Sequence, residues 1–277
     1  VTAGASPTGA APSAGRRRAS ASGSGPNPGP VSVRAPGKIN LSLRVGPPGV
    51  DGFHPLVTVF QALGLGETVT ASPAPAGETG ISLEAAAATR PDRVATPAVQ
   101  PTPAVQPTPG AATTAGVPLD RTNLAARAAE AVRRAAGVDH GVHLSIAKEI
   151  PAASGMAGGS ADAAAALVAC DRLWGTNLGA RTLHALAAEL GSDVAFPLVG
   201  GSALGTGRGE RLVALPDTGS WHWVIATQAT GLTTPEVFRV FDDLGGYGAA
   251  HAASLAAAAT ARAGDPLGTA PAAFAPA

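Results

Sequence analysis

The alternation of apolar and polar residues divides the chain into short strands and helices. Val31-Ser-Val-Arg34 and Leu41-Ser-Leu-Arg-Val45 carry the period of two expected of strands. Leu124, Ala128, Ala131, Val132 and Ala135 recur at helical spacing and mark one buried face. Val142, Leu144 and Ile146 alternate again. A helix is predicted over Asp162–Trp174, and another on Leu183, Leu186, Ala187 and Leu190. Arg211–Leu215 and Trp221–Ala226 read as two more strands. Strands and helices mix without a regular βαβ repeat, which predicts an α+β fold.

Two stretches break the pattern. Residues 1–30 are Ser, Ala, Gly and Pro around Arg16-Arg17-Arg18, and they cannot bury enough apolar surface to offset ordering entropy. The expectation there is a disordered tail. The absence of acidic residues before Asp51 gives it a loose likeness to an organellar transit peptide. From about residue 71 to 118 the chain is rich in Pro and Ala and repeats TPAVQP at 96–101 and 102–107, which predicts an inserted, extended surface loop. The expected division is a tail at 1–30, a first domain at 31–200 and a second at 201–277.

Composition removes several functions. Nineteen Lys and Arg balance nineteen Asp and Glu, leaving no field for nucleic acid. No apolar run is long enough to span a bilayer. A single cysteine, Cys170, excludes an internal disulfide framework and reads as a buried thiol in a helix, suited to the cytoplasm.

The chemistry concentrates in Pro151-Ala-Ala-Ser-Gly-Met-Ala-Gly-Gly-Ser-Ala161. A strand precedes this run and a helix follows. The first amides of a helix lack internal partners and carry partial positive charge, and glycines let them approach an anion closely. Ser160 is a candidate helix cap and phosphate contact. The run has no Gly-Lys-Ser/Thr and is not a Walker A loop. As a turn that merely packs a helix on a sheet, it would need no ligand. Gly205–Gly209 reads as a hairpin turn.

Only two lysines occur, Lys38 and Lys148, one after a strand and one just before the glycine turn. A lysine is a compact charge suited to a phosphate or a moving proton. Asp193, in Gly191-Ser-Asp-Val-Ala-Phe196, is either a cap or a reacting carboxylate. Asp51-Gly-Phe-His54 sets an aromatic face beside an imidazole, a pair that suits a flat heterocycle.

In order along the chain, several segments resemble the GHMP small-molecule kinases. They are Ala35-Pro-Gly-Lys-Ile-Asn-Leu41, Asp51-Gly-Phe-His54 with Thr58-Val-Phe-Gln61, Asn123-Leu124, Ile150-Pro151 with Gly155–Asp162, Gly191-Ser-Asp-Val194 and Thr234-Pro-Glu-Val-Phe238. The likeness covers about residues 31–70 and 119–243. It implies a first domain like domain 2 of ribosomal protein S5, then a ferredoxin-like domain, incomplete here. The "DGFH…TVFQ" and "TTPEVF" stretches point to the branch that phosphorylates the 2-hydroxyl of 4-diphosphocytidyl-2-C-methyl-D-erythritol from ATP, with Mg2+, for isoprenoid precursors.

The resemblance also implies roles. Asp193 is the catalytic base and Lys38 the cation that offsets charge at the reacting centre. Pro151, Ala152, Ala153, Ser154, Gly155, Met156, Ala157, Gly158, Gly159, Ser160 and Ala161 wrap the ATP phosphates. Phe53 and Phe238 sandwich the cytosine, with Phe53 where the family usually has Tyr. His54 bonds the cytosine edge, and Asn40 and Thr234 meet the polar end of the substrate. Ser154 stands where the family usually has glycine. The family's third motif, a Gly-Ser-Gly-Pro-type turn, is absent from the sequence, and the expectation is a C-terminally truncated product. Two other readings follow: an inactive nucleotide-binding remnant, or a GHMP kinase acting on homoserine or a mevalonate-type alcohol. The expected partner is a small molecule, with no nucleic acid and no membrane, and the expected state a monomer or weak homodimer.

Overall fold

The computed structural model describes residues 29–88, 114, 116–217, 219–226 and 232–245. The expected tail (but for its last two residues), the TPAVQP repeats and residues 246–277 lie outside them. The described part is one mixed sheet with helices packed against it. The strands are β1 (Val31–Val45), β2 (Leu56–Pro73), β3 (Ile81–Ala87), β4 (Val142–Lys148), β5 (Ser202–Gly207) and β6 (Arg211–Leu215). The helices are α1 (Leu124–Ala136), α2 (Gly158–Leu173), α3 (Gly179–Leu190), α4 (Phe196–Val199) and α5 (Thr234–Asp243).

β2 organises the sheet. Thr68–Ala71 pair with both β1 and β4, and Leu56–Gln61 with both β1 and β5. One edge of β2 is therefore given to β1, and the other is shared by β4 and β5. All pairs are antiparallel except β3 with β4. β5 and β6 continue this sheet past residue 200, where the sequence reading set its domain boundary.

Two sequence expectations fuse into one element here. The segments 31–34 and 41–45 are the ends of a single strand, with register shifts at Pro36/Lys38 and Asn40/Ser42. Proline has no N–H for the ladder, so the pairing slips where it sits. The slip leaves the Lys38 N–H pointing at the glycine turn, where it donates to the Met156 carbonyl at 3.1 Å. Gly37 beside it keeps this approach open, because a β-carbon there would crowd the Met156 and Leu65 carbonyls at 3.2 and 3.3 Å and Ile150 Cδ1 at 2.8 Å.

Two other expectations are corrected. Part of the expected loop at 71–118 is strand β3, in which Ile81, Leu83 and Ala85 are half-buried between exposed Ser82 and Glu84. Its alternation was present in the sequence but sat inside a Pro- and Ala-rich run. Trp221–Ala226 forms no strand despite its alternation. Trp221, Trp223 and Ile225 remain 61%, 45% and 41% exposed. Strand preference expresses fit to a paired, half-buried surface, and no strand pairs with this segment among the described residues.

α2 explains the alanine-rich sequence that follows the glycine turn. Residues 161–170 of α2 are all buried, so the helix is enclosed rather than amphipathic. It packs on β1 and β2 and against α1 and α3. Ala163–Ala166 let these neighbours approach closely, and Cys170 is fully buried among them. Burial holds its thiol protonated by raising its pKa. α1 starts on Asn123, whose side chain accepts the Ala125 N–H at 2.8 Å, and ends on left-handed Gly137. Among the described residues no helix is long and apolar enough to cross a membrane.

Candidate active site

The glycine turn leaves β4 at Lys148 and enters α2 at Gly158. Ala153, Gly155 and Ala157 take positive φ values of 53°, 75° and 60°. Ser154 does not, so it stands in place of glycine without strain. For the two alanines the left-handed conformation costs about 1–2 kcal/mol each. α2 begins two residues earlier than Ser160, which is thus not its cap. The N-cap is Ala157, and no side chain caps the helix. Its first amides face an open turn: Gly155 and Gly159 are exposed, and a β-carbon on Gly155 would meet nothing within 4 Å. An uncapped N-terminus of a 16-residue helix is chemically suited to an anion.

Lys38 and Asp193, far apart in sequence, meet beside this turn. Lys38 Nζ lies 3.6 Å from Asp193 Oδ2. Lys38 is buried, and the Asp193 side chain is 37% exposed. Val194, Ala195 and Phe196 sink fully into the core and hold Asp193 at its rim. The Phe196 ring packs tilted against Phe60, with centroids 4.9 Å apart and planes at 32°, and Lys38 Nζ sits 5.7 Å from the Phe60 ring centre. Lys38 also donates to Asn40 Oδ1 at 2.9 Å. Asn40 Nδ2 donates to Thr58 Oγ1 at 2.7 Å, and Thr58 Oγ1 to the Ser42 carbonyl at 2.8 Å. Asn40 thus spends both amide atoms within the protein, one of them on orienting Lys38.

Lys148, the other candidate lysine, faces inward. It is 4% exposed and does not reach out of the turn. Its ammonium lies 2.7 Å from Glu67 Oε1 and 2.6 Å from Asp162 Oδ2. Burial by itself would lower its pKa, but pairing with Asp162 and Glu67 outweighs this and raises it. Asp162 is pushed up to about 6 by burial, against the pull of Lys148. A carboxyl whose folded pKa exceeds its unfolded 3.8 favours folding below that value, and the contribution is lost as pH rises through about 6. From this group alone, stability should fall by about 2 kcal/mol between pH 4 and 7.5. Urea titrations of the native protein and Asp162→Asn would check this. The variant should lose that part of the pH dependence, and identical pH profiles would reject it.

The expected base-binding residues form two pairs, not one. Phe238 stacks on the His54 ring, with centroids 4.7 Å apart and planes at 21°. His54 Nδ1 lies 2.9 Å from the Gly46 carbonyl and so carries the proton it donates there. His54 Nε2 lies 3.5 Å from Asp242 Oδ2. Phe238 and Asp242 are four residues apart on α5 and share a face. Phe53 is 52% exposed and lies under the Arg208 guanidinium, 4.8 Å from the ring centre. Each of the two phenylalanines thus has a different partner, His54 for Phe238 and Arg208 for Phe53. Thr234 is exposed on the first turn of α5. Sequence reading missed Glu67, Asp162, Arg208 and Asp242. Each has a partner on another element or turn: Lys148 for Glu67 and Asp162, Phe53 for Arg208 and His54 for Asp242.

Among the described residues one groove is lined by Leu63–Leu65 with Trp221, Trp223 and Ile225, and a second by Gln61–Gly64 with Gly201, Asp217 and Trp221; neither lining includes Lys38 or Asp193. Among the described residues no cluster of three or more His, Cys, Asp or Glu is set to hold a metal ion.

Residues 123–201 match the model of the GHMP kinases N terminal domain. A protein of Nocardioides sp. named 4-diphosphocytidyl-2-C-methyl-D-erythritol kinase is 50% identical over 210 residues, 76% of this chain and 62% of that protein. One of the same name from Streptomyces coelicolor is 51% identical over 215 residues, 78% of this chain and 63% of its own length. A crystal structure of 4-(cytidine 5'-diphospho)-2C-methyl-D-erythritol kinase is 33% identical, covers 67% of this chain and 56% of its own, and superposes with a TM-score of 0.48. The chain spans about three fifths of the length of the curated relatives it matches. The turn that opens α2 and the Asp193 corner both fall inside residues 123–201, so the part of the chain that holds them is similar to the N-terminal domain of the GHMP kinases, and over three quarters of its own length the chain is similar to proteins named 4-diphosphocytidyl-2-C-methyl-D-erythritol kinase.

Proposed function

We propose that the protein transfers the γ-phosphoryl group of ATP to the 2-hydroxyl of 4-diphosphocytidyl-2-C-methyl-D-erythritol. The observation that supports this most is the Lys38–Asp193 pair, 3.6 Å apart, beside an uncapped helix N-terminus at the glycine turn. The names of the relatives supply the acceptor alcohol. Asp193 takes the hydroxyl proton. The hydroxyl oxygen bonds to the γ-phosphorus, the bond to the bridging oxygen breaks, and ADP leaves. Such a transfer depends on in-line positioning and charge stabilisation. The amides of Pro151–Ala161 hold the phosphates, and Lys38, oriented by Asn40, offsets charge at the acceptor. Mg2+ bound to ATP would supply charge neutralisation at its phosphates. Thr234 borders the polar end of the substrate.

In this reading His54, Phe53 and Phe238 form the base site. Phe238 rests on His54 until the cytosine takes its place between the rings. Phe238→Ala should raise KM for the cytidine substrate by about tenfold, as expected for a base–aromatic stack, with KM for ATP unchanged. Equal effects on the two constants would remove Phe238 from the base site. The same reading sets the protein in the cytoplasm, as a monomer or weak homodimer.

The deciding experiment measures ADP release from MgATP with diphosphocytidyl-methylerythritol, homoserine and mevalonate in turn. Release with the cytidine compound alone is expected. Release with another alcohol would replace the substrate, and ATP binding without turnover on any of them would make the chain a nucleotide-binding remnant.

A further inference from the structure

Beside the glycine turn lies a group of buried charges that phosphoryl transfer does not use. Glu67 on β2 is fully buried, and Lys148 and Asp162 are 4% and 3% exposed. The Lys148 ammonium bridges the two carboxylates at 2.7 and 2.6 Å. Glu67 also accepts the N–H of Glu149 at 2.7 Å and of Ile150 at 3.3 Å, the residues that lead into the turn. At the exit, a β-carbon on Gly158 would lie 2.9 Å from Glu67 Oε1, so the chain passes directly over that carboxylate. Asp162 stands one turn further along α2, and one of its oxygens, Oδ1, has no partner. The charged groups acting on Asp162 are Lys148 of β4 and Glu67 of β2. Lys38 of β1 is turned to Asn40 and Asp193.

The entry and exit of the turn are thus tied to one carboxylate and one ammonium. The charges do not cancel: two carboxylates share one lysine. In a low-dielectric interior an unpaired carboxylate opposes a polyanion placed near it. We propose that Lys148 is a positioning residue for the phosphate turn: it fixes the turn's entry against its exit through Glu67 and Asp162, and cancels one of two buried negative charges so that the turn accepts a triphosphate. This rests on ATP binding at the turn, as in the reading above. It explains why one of only two lysines lies out of reach of any ligand.

The test compares ATP binding by calorimetry, and KM and kcat, for the native protein, Lys148→Met, Asp162→Asn and the double variant. Lys148→Met leaves two unbalanced carboxylates and should weaken ATP binding about tenfold or more, with kcat at saturation within about threefold. The double variant restores the native charge sum and should recover most of that loss. Asp162→Asn alone removes one negative charge and should bind ATP at least about threefold more tightly. A double variant as weak as Lys148→Met overturns the proposal, as does Lys148→Met binding like the native protein. Should Lys148→Met fail to fold, Asp162→Asn decides: unchanged or weaker ATP binding overturns the idea. A native protein that binds no ATP refutes the parent reading instead, whereas native binding with indistinguishable variants refutes only this one.

Discussion

Asp193→Asn should lower kcat by about 10²–10⁴-fold, the range for loss of a general base, while the dissociation constant for ATP stays within about threefold. The amide keeps the size of the carboxylate and can remain beside Lys38, 3.6 Å away. It cannot accept the hydroxyl proton. The residue lies at the rim of the core, with the side chain 37% exposed, so the fold should not register the change. A thermal melt would verify this, because Val194, Ala195 and Phe196 carry the packing of that corner. Rapid-quench measurement of a single turnover separates the chemical step from product release. An Asn variant that transfers phosphate at more than about a tenth of the native rate would remove Asp193 from the role of base.

The largest effect on stability is expected at Glu67. Glu67→Ala should cost about 3–5 kcal/mol, the range for breaking a buried ion pair by removing one partner. Two losses combine. Lys148 keeps only Asp162, and the N–H groups of Glu149 and Ile150 lose their acceptor inside the protein. The expected fall in Tm is roughly 10 °C for a chain of this size. Glu67→Gln should cost less, because its amide oxygen still accepts from the backbone although the charge is gone. Guanidinium titrations of the three proteins would measure the series. A loss below about 1 kcal/mol for Ala, or equal losses for Ala and Gln, would mean that the carboxylate is not what holds the turn's entry.

Much of the fold was legible one segment at a time. The faces of α1 and α3 and the alternation of β4 and β6 could be read locally, because helical and strand periods repeat within a few residues. Errors arose where a segment's state depends on a partner. Trp221–Ala226 alternates like a strand but has no neighbour to pair with. β3 sits in a run whose composition argued for a loop and is drawn into the sheet by β4. Pro36 split one strand into two in the sequence, whereas the pairing of β1 with β2 runs past it with a shift of register.

The same division holds for the site. The sequence by itself determined the glycine turn, the helix that follows it, and the two lysines as candidates, because these depend on backbone freedom, side-chain volume and rarity. Only the tertiary structure decided what each lysine does. The bulge at Pro36 and the buried Val194–Phe196 corner bring Lys38 to Asp193, while Glu67 and Asp162 draw Lys148 inward. An ammonium takes its role from the carboxylates within a few ångströms of it, and which carboxylates those are is set by contacts between residues more than a hundred positions apart for Lys38 and up to eighty-one for Lys148.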